Sequence, residues 1–152
     1  MNYLLDTNVI SAVAPTRKQR PGALVEWLDL ASTGLYLSVV TAAEIGDGIA
    51  KAAREGAERK AATLKDWWGA VEHLYADRIL PFDLRAARIA GAMRDAARRA
   101  GHDPGFADIV IAATARAHGM TILSGNLKHF KPIADLLVNP FETLPPLPDA
   151  PR

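Results

Sequence analysis

The chain has 152 residues, which is enough for one domain with a sizeable hydrophobic core. It contains no cysteine, which excludes a disulfide framework and a thiolate metal site. Its net charge of +1 is lower than is usual for proteins that bind nucleic acid through charge alone. The sequence shows neither a signal peptide nor an apolar run near the ~20 residues of a membrane span. We therefore expect a cytoplasmic protein without membrane contact.

Strand-like apolar segments alternate with segments of helical periodicity, and this alternation predicts βαβ units around a parallel sheet. Strands are predicted at residues 3–5, 35–40, 78–82, 120–123 and 136–138. Helices are predicted from residue 8 and at 23–31, 41–54, 64–75, 84–100, 106–118 and 127–130. Proline cannot donate to a sheet ladder, so Pro81 favours an edge position for the third strand.

Prolines dominate the carboxyl terminus from Pro140 onward. We therefore predict a Pro-rich tail at residues 143–152 that is extended and mobile. The remaining chain, residues 1–142, has neither an internal repeat nor a long linker, which indicates a single α/β domain.

Four polar side chains lie where predicted strands end or where a helix begins. Asp6, Glu44 and Asn126 follow strands, and Asp108 opens a nearly apolar helix. Ligands of α/β sheets bind outside the carboxyl ends of the strands, so these side chains are expected to converge on one crevice. Carboxylates at close range repel each other unless a hard cation lies between them. The pattern predicts a phosphodiesterase that depends on Mg²⁺ or Mn²⁺.

Each position also has a purely structural interpretation. Asp6 and Asn126 are typical turn and cap residues. Residues 41–44 match a capping box, in which Glu44 would bond back to the backbone N–H of Thr41. Asp103 precedes a proline in a loop, and this ordinary turn chemistry is favoured over a ligand role.

Asp108 is the hardest of the acids to explain structurally. Its neighbours are apolar on all sides, which predicts a buried helix. An unpaired buried carboxylate costs several kcal/mol, whereas the helix dipole returns only ~0.3–1 kcal/mol to an acid in the first turn. We therefore expect Asp108 to be paired or bound to metal.

Two further features allow a functional interpretation. Arg17, Lys18 and Arg20 form a basic group that would contact either phosphate or only solvent. Trp67 and Trp68 belong to an apolar helical stripe typical of core packing. Two adjacent tryptophans do not face the same direction, which leaves one of them for a partner surface, and the sequence does not decide which.

An ordered set of motifs spans about residues 1–142. The motifs are residues 3–10 (YLLDTNVI), 38–45 (SVVTAAEI), 106–115 (FADIVIAATA), 121–130 (TILSGNLKHF) and 138–141 (VNPF). In order, spacing and total length, the chain resembles the PIN-domain nucleases, and more narrowly the VapC-like ribonuclease toxins of bacterial toxin–antitoxin pairs.

The resemblance implies a three-layer α/β/α domain with a central parallel sheet. It implies Mg²⁺ or Mn²⁺ held mainly by Asp6 and Asp108, with Glu44 completing the acidic cluster. Asn126 would take the place of a fourth acid, and Ser124 could hydrogen-bond a neighbouring carboxylate. The resemblance further implies endonucleolytic cleavage of RNA, a homodimer, and a cognate antitoxin that blocks the crevice.

Two other functions compete with this hypothesis. Phosphate-transfer enzymes of the haloacid-dehalogenase type also place an aspartate after the first strand. They pair it with a second aspartate two residues later, where this chain has Asn8. The other alternative is a catalytically silent binding module that keeps the fold to hold a partner or RNA.

Overall fold

The protein contains a five-stranded parallel sheet with the strand order β3-β2-β1-β4-β5. The structure, a computed structural model, describes residues 1–149. The strands are β1 (Tyr3–Leu5), β2 (Leu35–Ser38), β3 (Ile79–Leu80), β4 (Thr121–Leu123) and β5 (Leu137–Val138). β3 lies at an edge of the sheet, as Pro81 predicted.

Seven α-helices connect and flank these strands within the described part of the chain. They are α1 (Thr7–Ser11), α2 (Gly22–Ala31), α3 (Val39–Arg54), α4 (Glu58–Leu74), α5 (Leu84–Arg99), α6 (Phe106–His118) and α7 (Leu127–Phe130). α6 ends at Gly119, whose left-handed backbone (φ 63°) suits glycine as a helix terminator. The predicted α/β/α architecture with a central parallel sheet is confirmed.

β1 is buried on both of its faces, which explains why it has no polar residue. Tyr3 and Leu5 pack on one side of the sheet, in a cluster that includes residues of α1, α2 and α4. Leu4 packs on the other side, with residues of α5 and α6. Successive side chains of a strand point to opposite faces, so a central parallel strand between two helical layers is apolar throughout.

The start of α3 differs from the prediction. β2 ends at Ser38, and α3 begins at Val39 rather than at Thr41. Buried Ser38 is the N-cap, and its hydroxyl accepts a hydrogen bond from the Val40 N–H at 3.2 Å. Val39 and Val40 prefer strands, but they begin the helix here. The Ser38 cap favours the helix because it satisfies a backbone N–H of the first turn that has no partner within the helix.

The two tryptophans of α4 differ in their burial. Trp68 is 7% exposed and belongs to the core, whereas Trp67 is half-buried and packs on the edge of the same core. Their ring centroids are 6.1 Å apart. Trp67 is therefore the tryptophan that keeps a surface for another molecule.

The predicted Pro-rich tail is described as far as Asp149. Residues 144–149 contain no helix or strand, but they lie along the domain. The Trp27 indole N–H donates to the Pro145 carbonyl at 2.9 Å, and the Tyr3 hydroxyl donates to the Pro146 carbonyl at 2.7 Å. Proline carbonyls accept hydrogen bonds freely, and the sequence pattern does not register this capacity. Residues 150–152 of the predicted tail lie outside the described residues.

None of the helices described between residues 1 and 149 has the length and apolar character needed to cross a membrane.

Candidate active site

Asp6 lies at the carboxyl end of the central strand β1 and caps α1. Its side chain is 6% exposed, and both carboxylate oxygens accept hydrogen bonds. Oδ1 accepts from the Thr7 N–H at 2.8 Å, and Oδ2 accepts from the Ser124 hydroxyl at 2.7 Å. The predicted contact between Ser124 and a carboxylate is confirmed, and the cap interpretation of Asp6 is compatible with a place in the site.

The pKa of Asp6 is raised above its ordinary value, mainly because burial disfavours the charged carboxylate. The hydrogen bonds from Ser124 and Thr7 act in the opposite direction, since they stabilise the charged form. Repulsion from Asp108 and from Glu44 raises the pKa further. Three carboxylates from β1, α3 and α6 are therefore close enough to act on one another electrostatically.

Glu44 is not part of a capping box. The N-cap of α3 is Ser38, so Glu44 lies in the second turn, beyond the free N–H groups of the helix start. Its Oε1 accepts a 2.7 Å hydrogen bond from the Thr7 hydroxyl, which also lies 2.9 Å from the Thr41 hydroxyl. Thr7 thus contacts both acids: its backbone N–H donates to Asp6, and its side-chain hydroxyl donates to Glu44.

Asp108 lies in the first turn of α6 and is only half-buried, with 23% of its side chain exposed. The expectation of a helix buried on all sides is wrong at this end, because Phe106 is 59% exposed. Burial raises the pKa of Asp108, the His129 ring opposes this shift, and Glu44 adds to it. His129 Nδ1 lies 3.6 Å from Asp108 Oδ2, a distance at which the two side chains form an ion pair only when the imidazole is protonated.

Asn126 contacts the site through its backbone rather than through its side chain. Its N–H donates to the Ser124 hydroxyl at 2.9 Å, and its exposed carboxamide has no hydrogen bond to any residue between 1 and 149. Asn8 makes the neighbouring polar contact, because its Oδ1 accepts from the Gly125 N–H at 3.3 Å. The direct contact with Asp6 comes from Ser124 rather than from Asn126.

Two openings flank the carboxylates. A groove of about 700 Å³ includes Thr7 and Glu44 among its lining residues, together with Trp67; we refer to it as the Trp67 groove. A cleft of about 350 Å³ includes Asp108 and His129, and Asp103 borders it. Asp103 is exposed and faces Arg98 Nε at 3.4 Å, which agrees with the favoured loop role. A ligand at the carboxylates can thus extend in two directions.

The arrangement has counterparts in known proteins. The sequence matches the PIN domain family over residues 3–136. The chain belongs to the PIN domain family. It is 36% identical over 140 residues to VapC ribonuclease Y4jK of Sinorhizobium fredii, covering 91% of this chain and 97% of that protein. It is also 36% identical over 139 residues to the toxin FitB of Neisseria gonorrhoeae, again covering 91% and 97%.

A solved structure extends the similarity to the fold. The crystal structure of FitAcB from Neisseria gonorrhoeae superposes on this PIN domain with a TM-score of 0.80 at 36% identity, covering 91% of this chain and 98% of that chain. The resemblance drawn from the ordered motifs is confirmed, and the haloacid-dehalogenase alternative is set aside.

The donor chemistry of this PIN domain suits a hard divalent cation, because Asp6, Glu44 and Asp108 supply carboxylate oxygens that repel one another. The coordination sphere is not preformed. Among residues 1–149, no three acidic or histidine side chains are close enough together to hold a metal ion. Both oxygens of Asp6 already accept hydrogen bonds, so a cation would add to these contacts, since a carboxylate has about four acceptor positions.

Three residues of the candidate site had no functional role predicted from the sequence, namely Thr7, Thr41 and His129. Thr7 directly follows Asp6, and its place in a strand-to-helix turn was the available signal. The sequence placed Thr41 only in a capping box and gave no signal for His129, because their partners lie on other elements of the fold.

Proposed function

We propose that this PIN domain is an endoribonuclease, dependent on Mg²⁺ or Mn²⁺, that acts as the toxin of a toxin–antitoxin pair. The observation that carries the proposal is the convergence of Asp6, Glu44 and Asp108, whose mutual repulsion contributes to the raised pKa of Asp6. The names of the relatives support the reaction class, since one is a VapC ribonuclease and another is a toxin.

In this proposal, Asp6 and Asp108 hold the cation and Glu44 completes the acidic cluster. A divalent cation bound there would lower the pKa of a coordinated water and neutralise negative charge on the phosphate in the transition state. Ser124 and the Thr7 N–H fix the orientation of the Asp6 carboxylate. The Thr7 hydroxyl holds Glu44, which orients the attacking water. Asn126 positions a water at the rim through its unbonded carboxamide.

The substrate is RNA in single-stranded or loop form, because splayed segments give access to the scissile phosphate. We further propose a homodimer and a cognate antitoxin as partners. An antitoxin arginine among the three carboxylates would form charge-assisted hydrogen bonds and so compete with the cation.

The catalytically silent binding module is the second candidate, and it is favoured by the lack of a preformed metal site in residues 1–149. Cleavage of a mixed RNA pool by the full chain separates the two candidates. We expect cleavage with Mg²⁺ or Mn²⁺, none with EDTA, and none from Asp6→Asn under either condition.

Asp103→Asn is the matched control, because Asp103 is an exposed acid at the rim of the cleft that contains Asp108. It should cleave like the native chain. Equal metal-dependent cleavage by separately purified native chain and Asp6→Asn would defeat the site assignment. Metal binding without cleavage of any RNA would favour the silent module.

A further inference from the structure

The Trp67 groove leads away from the carboxylates along α3. Glu44 lines the groove in the second turn of α3, and Glu55, the C-cap residue of the same helix, lines it eleven residues later. At 1.5 Å per residue this separation corresponds to about 16 Å along the helix axis. Lys60, Leu64 and Trp67 form the opposite wall, and their spacing places them on one face of α4. Residues of α1 and of the segment after it also line the groove, which is thus a track that starts at the candidate active site.

Cations outnumber carboxylates along this track. Arg17, Lys18, Lys51 and Lys60 line it, against Glu44 and Glu55. Between residues 1 and 149, none of these four cations takes part in an ion pair. The chain as a whole has a net charge of only +1, whereas the charged side chains that line this groove sum to +2. Unpaired cations along a groove are suited to a polyanion.

Two further features suit the track to a nucleotide chain. Trp67 is half-buried, so one part of its ring is anchored against the core while the remainder borders the groove. Bases stack on such fixed aromatic rings without regard to sequence. Gly48 also lines the groove, and a Cβ placed there would meet no heavy atom within 4 Å. The wall beside Glu44 is therefore open to a bulky ligand.

We infer that the Trp67 groove binds the single-stranded RNA on one side of the scissile phosphate, with Lys51 and Lys60 contacting phosphates and Trp67 stacking on a base. The inference rests on the proposed function, since it takes the substrate to be RNA. A protein segment is the competing occupant of a groove between two helices. The excess of unpaired cations and the position next to the carboxylates favour the nucleic acid.

The test measures binding rather than cleavage, so that it does not depend on the chemistry. The full chain is titrated against a short fluorescein-labelled single-stranded RNA of mixed sequence, in EDTA, and fluorescence anisotropy gives Kd. Trp67→Leu keeps an apolar side chain against the core but removes the stacking surface. We expect it to weaken binding about five- to hundredfold, whereas Trp67→Phe retains most of the affinity.

Tryptophan fluorescence supplies a readout that a purely structural role would not change. Trp27 and Trp68 are 6% and 7% exposed, which leaves Trp67 as the accessible indole. RNA should quench the fluorescence of the native chain, and Trp67→Phe should bind RNA with this quench largely lost. An unchanged quench in Trp67→Phe would overturn the stacking role.

The charge contribution is tested by its salt dependence. Each phosphate contact with a single strand contributes about 0.7 to the slope of log Kd against log salt, so the double variant Lys51→Ala/Lys60→Ala should reduce this slope by about 1.4. Arg85→Ala/Arg88→Ala is the matched control, because both arginines are exposed on α5 and neither lines the groove. If both double variants reduced the slope of log Kd against log salt by the same amount, the inference would be overturned.

Gly48→Leu tests whether RNA binding needs the open space beside Gly48, and it leaves the charge of the groove unchanged. It fills the open groove beside Glu44 and should weaken RNA binding at least tenfold. Gly69→Leu is its control, since Gly69 is also helical with open space around it but does not line the groove. If all groove variants bind RNA like the native chain, the groove does not carry the strand and the inference is overturned. That result is independent of the metal-dependent cleavage assay, which tests the proposed function.

Discussion

The Ser124 hydroxyl donates a 2.7 Å hydrogen bond to Asp6 Oδ2 across a sequence separation of 118 residues. The same hydroxyl oxygen accepts from the Asn126 N–H, so one buried serine joins the ends of β1 and β4. This contact opposes the burial and charge repulsion that raise the pKa of Asp6. Ser124 and the Thr7 N–H therefore both stabilise the charged form of Asp6, against the burial and the neighbouring carboxylates that disfavour it.

Removal of this hydroxyl in Ser124→Ala should raise the pKa of Asp6 further, because a hydrogen bond to the charged form is lost. The acidic limb of the pH–rate profile for RNA cleavage should move to higher pH. Loss of a contact that orients a ligand typically lowers metal affinity or activity about 10–100-fold. Cleavage rates measured across pH and metal concentration would show both effects.

Ser124→Thr is the conservative control, since it retains the hydroxyl, and it should keep the acidic limb closer to its native position. An acidic limb that does not move in Ser124→Ala would contradict the role of this hydrogen bond.

Thr7→Val should lower cleavage without unfolding the protein. The substitution keeps the shape of the side chain but removes the hydroxyl that donates to Glu44 Oε1. Glu44 then loses a fixed orientation, and we expect kcat to fall about tenfold or more with a smaller change in KM. Steady-state cleavage kinetics would measure the effect.

Thr16→Val is a matched control for this change, because Thr16 lines the same groove and has no hydrogen bond to a carboxylate among residues 1–149. Equal kcat values for Thr7→Val and the native chain would show that Glu44 does not depend on Thr7.

The metal-free protein should gain stability when Asp6 is replaced by Asn. The pKa of Asp6 is raised in the folded state, so its protonated form contributes stability at low pH, and this contribution is lost as pH rises through the folded-state pKa. At neutral pH in EDTA, Asp6→Asn should therefore have a higher Tm, with ~2–4 °C corresponding to each kcal/mol in a domain of this size.

The difference in Tm between Asp6→Asn and the native chain should shrink as pH falls, because the native carboxyl becomes protonated. Mg²⁺ should raise the Tm of the native chain and not that of the variant, since binding to the folded state alone stabilises it. A native Tm that does not respond to Mg²⁺ at millimolar concentration would argue against a cation at these carboxylates.

Truncation after Phe141 should leave RNA cleavage intact but weaken the fold. It removes the carbonyls of Pro145 and Pro146, which accept from Trp27 and Tyr3. A buried donor left without its acceptor costs about 1–3 kcal/mol, and the buried Trp27 indole N–H is the clearest case. Urea unfolding and RNA cleavage below the unfolding transition would separate stability from activity.

Truncation after Asp149 is the control, since it keeps both carbonyls and should unfold at the same urea concentration as the full chain. If the truncation after Phe141 unfolds like the full chain, the hydrogen bonds to the tail do not stabilise the domain.

The sequence by itself determined the alternation of strands and helices and the positions of Asp6, Glu44 and Asp108 along the chain. These features are readable because hydrophobic periodicity and strand ends are local properties of the sequence. Local patterns also misled, since Thr41 and Glu44 fit a capping box that Ser38 replaces by starting α3 earlier. Ser38 and Thr41 are both of residue types preferred at the N-cap, so local sequence does not decide between them.

Only the tertiary structure decided which groups meet. The contacts of Ser124 with Asp6 and of Thr7 with Glu44 cross sequence separations of 118 and 37 residues. The burial of Trp68 rather than Trp67 and the position of the tail along Trp27 depend in the same way on how the layers pack. Side-chain periodicity specifies a face of an element but not its neighbours, and the neighbours turn three separate carboxylates into one candidate site.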